Sequence, residues 1–398
     1  MKNKLREIIL SVTNRCNLRC AMCQIPEMED GNEMSTAQLK GVIRDSLVLG
    51  PDNVVFSGGE PLLRDDILEL ISFASGYKIN TCLTSNGTLI TEGMARKLSS
   101  CGIGVVNVSI EGPEEIHDSL RGKGSFKKAE EALKNLLRNK IEATIATVVC
   151  RDNYQALPFI MELAHRFSVN TVKFQPFSDI FLMDKERKRR FIFTEDIRLE
   201  SRKIIEQVID LACRYKVSTN PDSYLRSIPD YLGGYRQAYH PDGCPALRYS
   251  CPITCDGRVL LCWVLSDKSI GSVKQGRIYS LWNSARHNRL RRAAIKNGCA
   301  GCLMSCYDYN PGQGKHRSLL HLARKPGQLR KPGLYKNQYY RFYRWLRYIS
   351  GKLTNPVYYG LSIKGHGHLE DGEAGAIEEI NSAQEILKDK IREIRGHA

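Results

Sequence analysis

The chain has 398 residues, of which 42% are hydrophobic, and this composition is typical of a soluble globular protein with a substantial core. No run of 18 apolar residues is present, which excludes a membrane-spanning helix, and Arg6 and Glu7 interrupt the start too early for a secretory signal. The 59 Lys and Arg residues exceed the 43 Asp and Glu residues, and the formal net charge is +16. We therefore expect a cytoplasmic protein whose partner, if charged, is anionic.

The first domain predicted, residues 1–215, alternates β-rich runs with amphipathic helical patterns. Ser35, Thr91 and Ser125 are helix start signals, and Gly102 ends the second of these helices. A repeated β-then-α order predicts parallel strands, and six units predict an α/β fold, an open (β/α)6 version of the TIM barrel. Such a barrel carries its chemistry at the carboxyl ends of its strands. The predicted strands are residues 6–13, 53–57, 79–85, 104–110, 143–149 and 170–176.

Three further segments follow the barrel. Residues 216–243 are rich in Pro, Gly and Tyr and are interpreted as a linker. Residues 244–310 are rich in cysteine and predict a small second domain. Residues 311–398 form a basic, aromatic extension, in which residues 373–395 have apolar positions near helical spacing and predict a terminal helix.

The 14 cysteines are unevenly distributed. Three lie within the first 23 residues and seven lie between residues 244 and 306. Clustered thiols in a chain without an export signal indicate metal binding rather than disulfides. Four cysteines stand alone and are interpreted as small buried apolar residues: Cys82, Cys101, Cys150 and Cys213.

The first cysteine cluster is the stretch "TNRCNLRCAMC", in which Cys16, Cys20 and Cys23 have the spacing C-x3-C-x2-C directly after the first predicted strand. A structural zinc site normally takes four ligands, often in C-x2-C pairs. A four-iron cube can instead be held by thiolates at three corners. The missing fourth cysteine then leaves one iron open for chemistry.

With Met22 before its last cysteine, this loop resembles the signature of the radical S-adenosylmethionine (SAM) superfamily. The resemblance implies that Cys16, Cys20 and Cys23 hold a [4Fe-4S] cluster whose open iron binds the amino and carboxylate groups of SAM, with Met22 also in the cofactor site. It further implies that SAM is cleaved reductively to a 5′-deoxyadenosyl radical, which takes a hydrogen atom from the substrate.

The segment "FSGGEPLL" after the second strand resembles the GGE motif of the same superfamily. Glycines without a Cβ let the backbone approach a ligand. The resemblance implies that Gly58, Gly59 and Glu60 hold the SAM ammonium. The segment "TSNGT" after the third strand also resembles a segment of the family, but its Asn86-Gly87 pair is interpreted as a tight turn.

The segment "VNVSIEGPEEIHDSLRGKGSF" follows the fourth strand and resembles the region of the family that contacts the ribose and carboxylate of SAM. The resemblance implies contacts from Ser109, Glu111 and Arg121. Glu111 occupies a position where the family usually has Asp, so the geometry of its contact is expected to differ.

The second cysteine cluster reads "CPALRYSCPITCDGRVLLC" from residue 244 and "CAGCLMSC" from residue 299. It resembles the SPASM/twitch extension, which holds auxiliary iron–sulfur clusters. The resemblance implies one auxiliary [4Fe-4S] cluster, with a second left open, and the alternative reading is a zinc ribbon. The implied ligands are Cys244, Cys262, Cys299 and Cys302, and the further candidates are Cys251, Cys255 and Cys306.

An auxiliary cluster with four protein thiolates has no open iron and would carry electrons. The predicted function is therefore an oxidative modification of a small-molecule or anionic, lipid-linked substrate, with ferredoxin or flavodoxin as electron donor. Peptide maturation is the alternative, although few residues precede the first strand, which leaves no space for an N-terminal peptide-binding domain.

The basic extension supports two further hypotheses. Residues 309–369 contain twelve Lys and Arg but no Asp or Glu, and residues 335–353 mix these charges with aromatic side chains. Such a helix could lie on an anionic membrane surface or bind a phosphate-rich substrate. The simpler alternative is a solvated basic helix packed on the barrel. A hypothesis from another class is a zinc- and nucleic-acid-binding protein that uses this extension and the second cysteine cluster.

Overall fold

The computed structural model describes residues 5–28, 32–182, 184–235, 244, 246–296 and 302–304. The basic stretch, the predicted terminal helix, Cys299 and Cys306 lie outside these described residues. Among the described helices, none is both long and apolar enough to cross a membrane.

Six parallel strands form the first part of the sheet, in the spatial order β6-β5-β4-β3-β2-β1. This arrangement confirms the α/β fold and the predicted parallel sheet. Ile8, Leu10 and Val12 alternate along β1 and are fully buried, as the period-2 pattern requires. The strands are β1 Glu7–Thr13, β2 Asn53–Gly58, β3 Asn80–Ser85, β4 Val105–Ser109, β5 Glu142–Val149 and β6 Thr171–Pro176.

Helices connect these strands and cover the sheet. The helices of the barrel part are α1 Thr36–Ser46, α2 Ile67–Gly76, α3 Glu92–Ser100, α4 Glu114–Arg121, α5 Ser125–Arg138, α6 Leu157–Arg166, α7 Lys185–Arg189 and α8 Glu195–Tyr215. Later in the chain come α9 Asp222–Leu232, α10 Ala246–Tyr249, α11 Ile278–Leu281 and α12 Ala285–Lys296.

Two of the three predicted helix starts act as caps. The Ser35 hydroxyl accepts a hydrogen bond from the Gln38 amide, and Gln38 Oε1 accepts one from the Ser35 amide at 2.8 Å, which is a capping box. The Thr91 hydroxyl accepts from the Met94 amide at 3.2 Å. Ser125 is instead the first residue of α5, and the Asp118 carboxylate accepts from the Phe126 amide there at 2.9 Å.

The cysteine-rich segment extends the same sheet. Strand β7, Ser250–Ile253, pairs in parallel with the free edge of β1, with Cys251 opposite Ile8. Strands β8, Arg258–Leu260, and β9, Ser269–Ser272, continue antiparallel and complete nine strands in the described part of the chain.

The linker interpretation missed a helix. Helix α9 lies within the segment interpreted as a linker, and Tyr224 on α9 is buried. The Tyr224 hydroxyl donates a 2.8 Å hydrogen bond to the carbonyl of Leu303. Helix α9 therefore contacts residues 302–304, the last described residues of the cysteine-rich segment.

Candidate cluster and SAM site

The three cysteines of the first cluster lie in the loop after β1, at the carboxyl edge of the parallel sheet. Each sulfur has a hydrogen-bond donor. The Ile25 amide donates to Cys23 Sγ at 3.4 Å, and Arg121 Nη1 lies 3.9 Å from Cys20 Sγ. Asn86 Nδ2 lies 3.9 Å from Cys16 Sγ. Donors around sulfur stabilise thiolate ligands and tune an iron–sulfur cluster.

The loop cysteines do not form a cage for a single ion. In the part of the chain that the structure describes, no three His, Cys, Asp or Glu side chains converge on one metal position. A cube of four irons needs its thiolates further apart than the ligands of one ion do. Burial raises the pKa of Cys16, and it raises the pKa of Cys23 to about 11. Loss of these protons therefore has to be coupled to metal binding.

Gly58 and Gly59 fit tightly against the cysteine loop. A Cβ on Gly59 would lie 2.2 Å from the Arg15 carbonyl oxygen, and one on Gly58 would lie 2.2 Å from that of Thr13. The Gly59 amide donates to the Thr13 carbonyl at 2.7 Å. In the structure these glycines permit the close approach of two backbone segments, and their contact with a ligand stays a prediction.

Glu60 is a buried carboxylate beside this contact. It accepts hydrogen bonds from the Asn86 amide at 2.8 Å, the Ser85 hydroxyl at 3.0 Å and the Leu62 amide at 3.1 Å. Burial raises the pKa of Glu60 to about 7, against the opposing effect of these hydrogen bonds. Its carboxylate is therefore fixed in orientation before any ligand arrives.

Asn86 has a second role in the structure besides the predicted tight turn. Gly87 does adopt φ +80°, as a tight turn requires. In addition, Asn86 Nδ2 donates to Asn17 Oδ1 at 2.9 Å, within the cysteine loop, while its amide binds Glu60. Asn86 thus joins the cysteine loop to the Gly-Gly-Glu segment, a contact between strands that no single motif reveals.

Arg64 is a second residue that sequence reasoning missed. Its Nη1 donates to the carbonyls of Val12 at 3.0 Å and Met34 at 3.2 Å, which stand before and after the cysteine loop. Asp66 accepts from its Nε at 2.8 Å, and Glu33 from Nη1 at 3.3 Å. Arg64 therefore closes the base of the loop. The pattern "GGEPLLR" contains this residue, but the sequence does not show which carbonyls it would reach.

The fourth-strand motif forms a buried ion pair. Glu111 is fully buried, its Oε1 accepts from Arg121 Nε at 2.7 Å, and its Oε2 accepts from the Val148 amide at 2.7 Å. Burial opposes the charge on Arg121, but Glu111 and the Cys20 sulfur raise the pKa of the guanidinium. Both Glu111 oxygens thus accept hydrogen bonds from protein groups, and the carboxylate holds the Arg121 guanidinium in place. Ser109 is 8% exposed at the end of β4.

Met22 is 6% exposed and belongs to the hydrophobic core, so its side chain is packed against the barrel.

The described auxiliary cysteines fall into two groups: the predicted ligands Cys244, Cys262 and Cys302, and the further candidates Cys251 and Cys255. Cys244 and Cys302 meet in a small apolar cluster, and the Leu265 amide donates to Cys262 Sγ at 3.3 Å, as in the first loop. Cys251 is fully buried in β7, where burial raises its pKa, and it belongs to the core. Cys255 is 6% exposed after β7, and its carbonyl accepts from the Met34 amide at 2.8 Å.

Comparison with known families explains both cysteine clusters. Residues 10–164 match the family model of the radical SAM superfamily, and residues 244–303 match SPASM, an iron–sulfur cluster-binding domain. The chain thus carries a radical SAM domain followed by a SPASM domain. The radical SAM domain uses a [4Fe-4S] cluster and SAM, and the SPASM domain an auxiliary iron–sulfur cluster, which confirms the predicted cofactors and disfavours the zinc ribbon.

Three relatives illustrate the range of the superfamily. An Fe-coproporphyrin III synthase of Methanosarcina barkeri is 32% identical over 213 residues, which span 52% of each chain. An AdoMet-dependent heme synthase of Oleidesulfovibrio alaskensis is 26% identical over 328 residues, 75% of this chain and 82% of that protein. A mycofactocin maturase of Mycolicibacterium smegmatis is 35% identical over 159 residues, 39% of this chain and 41% of that protein. The chain thus aligns with only about half of the first relative.

The solved structures support the fold. Streptococcus suis SuiB bound to S-adenosylmethionine superposes with a TM-score of 0.59 at 16% identity, over 72% of this chain and 68% of SuiB. The chain therefore shares the α/β fold of SuiB, and its SPASM match follows the six parallel strands.

Proposed function

We propose that this radical SAM enzyme holds its catalytic [4Fe-4S] cluster through Cys16, Cys20 and Cys23. The observation that carries the proposal is the hydrogen-bond donor beside each of the three sulfurs, at the carboxyl edge of the sheet. When bound, the cluster and SAM supply a 5′-deoxyadenosyl radical that removes a hydrogen atom from the substrate.

The residues around the loop would prepare the cofactor site. Arg121 presents a fixed positive charge toward the SAM carboxylate, since Glu111 holds its guanidinium from behind. Glu60 is oriented by three hydrogen bonds and would accept the SAM ammonium. Ser109, at the end of β4, would bind the ribose. The Gly58–Gly59 segment would keep the cysteine loop at the depth at which these groups meet SAM.

The auxiliary cluster would be held by Cys244, Cys262 and Cys302 of the described residues, together with Cys299. It would accept one electron from the substrate radical, so that loss of a proton completes a two-electron oxidation. Cys262 Sγ already accepts an amide hydrogen bond, which suits a thiolate ligand.

The substrate proposed is an anionic small molecule of the tetrapyrrole class. The heme synthase match extends through most of both proteins, whereas the maturase match spans 39% of this chain. Peptide maturation is the second candidate, supported by the higher identity of the maturase match, 35% against 26%.

The test is anaerobic reconstitution followed by assay with two deuterated substrates. We expect deuterium from iron coproporphyrin III, labelled on its side chains, to appear in 5′-deoxyadenosine. A variant with Cys16, Cys20 and Cys23 changed to Ala should lose both iron and SAM cleavage, whereas Cys213→Ala, at an exposed thiol, should retain both. Label transfer from a peptide alone would select the second candidate, and 5′-deoxyadenosine from the triple variant would refute the ligand assignment.

A further inference from the structure

We propose that the exposed basic face of α12 is the docking surface for an acidic one-electron carrier protein that exchanges electrons with the auxiliary cluster. This inference rests on the proposed redox role of that cluster. The face consists of Arg286, Arg289, Arg292 and Lys296, with Arg291 partly buried beside them.

The described part of the chain provides no acidic partner for the basic residues of α12. The helix carries five Lys and Arg residues but no Asp or Glu, and within the described ranges none of the five forms an ion pair. Helices α8 and α9 instead pair basic with acidic residues: Arg198 binds Asp230 at 2.6 Å and Arg226 binds Glu206 at 2.8 Å. Among the described helices, only α12 combines five basic residues with no acidic one.

Crowding of like charges adds a second observation. Arg291 Nε is buried without a hydrogen-bond partner among the described residues, and Arg291 Nη2 donates only a long hydrogen bond, at 3.4 Å, to Asn288 Oδ1. Burial, followed by the charges of Arg248 and Arg292, lowers the pKa of Arg291. An acidic partner would relieve this repulsion, since a nearby carboxylate favours the charged guanidinium.

The helix is held rigidly, so its charges are presented in a fixed pattern. His287 is 1% exposed, its Nδ1 accepts from the Asn283 amide at 2.9 Å, and its ring lies 4.4 Å from that of Trp282. Arg286 Nε donates to the Ser269 carbonyl at 3.0 Å. His287 and the Arg286 hydrogen bond thus hold α12 against the rest of the SPASM domain, while Arg289, Arg292 and Lys296 are exposed.

The position of α12 in the chain links the surface to the auxiliary centre. The helix ends at Lys296, three positions before Cys299, a proposed ligand of the auxiliary cluster. In the sequence, the basic face therefore directly precedes a proposed ligand of the auxiliary cluster.

The chemistry of the face favours a protein over a membrane. A helix that lies on a membrane buries an apolar face in the lipid, but His287, on the inner face of α12, is buried within the protein. The helix has 12 residues and spans about 18 Å, which suits a small protein interface. Opposite charge also steers such carriers to fast encounters.

The experiment measures electron transfer from a reduced acidic flavodoxin to the anaerobically reconstituted holoenzyme by stopped-flow absorbance. We expect the Arg289→Glu and Arg292→Glu double variant to lower the second-order rate at least about tenfold at low ionic strength. The difference should shrink at about 1 M salt, where the Debye length is about 3 Å. Reduction by dithionite, and SAM cleavage driven by it, should stay at the wild-type rate.

The control is Arg96→Glu with Lys97→Glu on α3, which makes the same change in net charge at two exposed positions of the barrel. An equal slowing in this control, or a wild-type rate in the α12 variant, would overturn the proposal.

If the charge reversal impairs folding, the double variant Arg289→Gln with Arg292→Gln takes its place. Its rate of electron transfer should be lower than that of the wild type. A loss of anionic-vesicle or oligonucleotide binding in the α12 variant, with an unchanged flavodoxin rate, would also overturn it. The assay follows electron transfer in the absence of substrate. Its outcome can therefore be told apart from a failure of the proposed substrate oxidation.

Discussion

The buried ion pair between Glu111 and Arg121 makes a quantitative prediction. Glu111→Gln keeps the size of the side chain and an acceptor for the Val148 amide, but it removes the negative charge that faces the guanidinium. Glu111 is fully buried and the Arg121 side chain is 12% exposed. Removing one partner of a buried pair typically costs about 3–5 kcal/mol.

The matched control is Glu206→Gln, which breaks the pair with Arg226, where both side chains are about half exposed. An exposed pair contributes less than about 1 kcal/mol. For a domain of this size 1 kcal/mol shifts the Tm by roughly 2–4 °C, so Glu111→Gln should lower the Tm by roughly 6–20 °C and Glu206→Gln by less than about 4 °C.

The assay is thermal unfolding of the cluster-free protein, followed by SAM titration of the reconstituted protein. The double variant Glu111→Gln with Arg121→Met should be more stable than Glu111→Gln alone, since it removes the uncompensated charge. We also expect Glu111→Gln to weaken SAM binding, because the guanidinium loses its support. Equal Tm values for Glu111→Gln and Glu206→Gln would refute the reasoning.

Three further predictions test the site and its surroundings. Gly59→Ala should abolish iron binding, because its Cβ would lie 2.2 Å from the Arg15 carbonyl oxygen, whereas Gly76→Ala, with no atom within 4 Å, should bind iron normally in a colorimetric iron assay. Cys251→Ala should keep the wild-type iron content but lose on the order of 1–2 kcal/mol of stability in urea unfolding, since this thiol fills core volume. Burial and a neighbouring guanidinium lower the pKa of His117 to about 3. In the unfolded chain the pKa of His is about 6.5, so between about pH 3 and pH 6.5 the unfolded chain binds a proton that the folded chain does not. Stability should therefore fall by about 2 kcal/mol from pH 7 to pH 5, and His117→Gln should remove that part of the loss; an unchanged pH profile would contradict the prediction.

The barrel was largely predictable from the sequence because its signals are local. The six β-rich runs are within one or two residues of the observed strands, and Ser35 and Thr91 cap helices as their side-chain chemistry requires. The cysteine spacing identified the superfamily for the same reason: a chelating loop is encoded within eight residues.

What the sequence did not reveal depends on contacts between distant segments. Strand β7 has four residues, one of them Pro252, and its partner β1 lies more than 240 residues away, so neither length nor pattern indicated the pairing. Helix α9 contains Pro229 in a segment rich in Tyr and Gly, which concealed its helical pattern. The roles of Asn86 and Arg64 likewise arise only where separate strands end side by side.

The pairing of β7 with β1 has a consequence for how the protein is made. Strand β1 is synthesised more than 240 residues before β7, so its outer edge stays without this neighbour until Ile253 has been added. During that interval the nascent barrel exposes unpaired backbone amides and carbonyls directly below the loop that carries Cys16, and such an edge invites pairing with other chains. Chaperone capture of this unfinished edge, and delivery of iron only after it closes, would be the safer order of assembly.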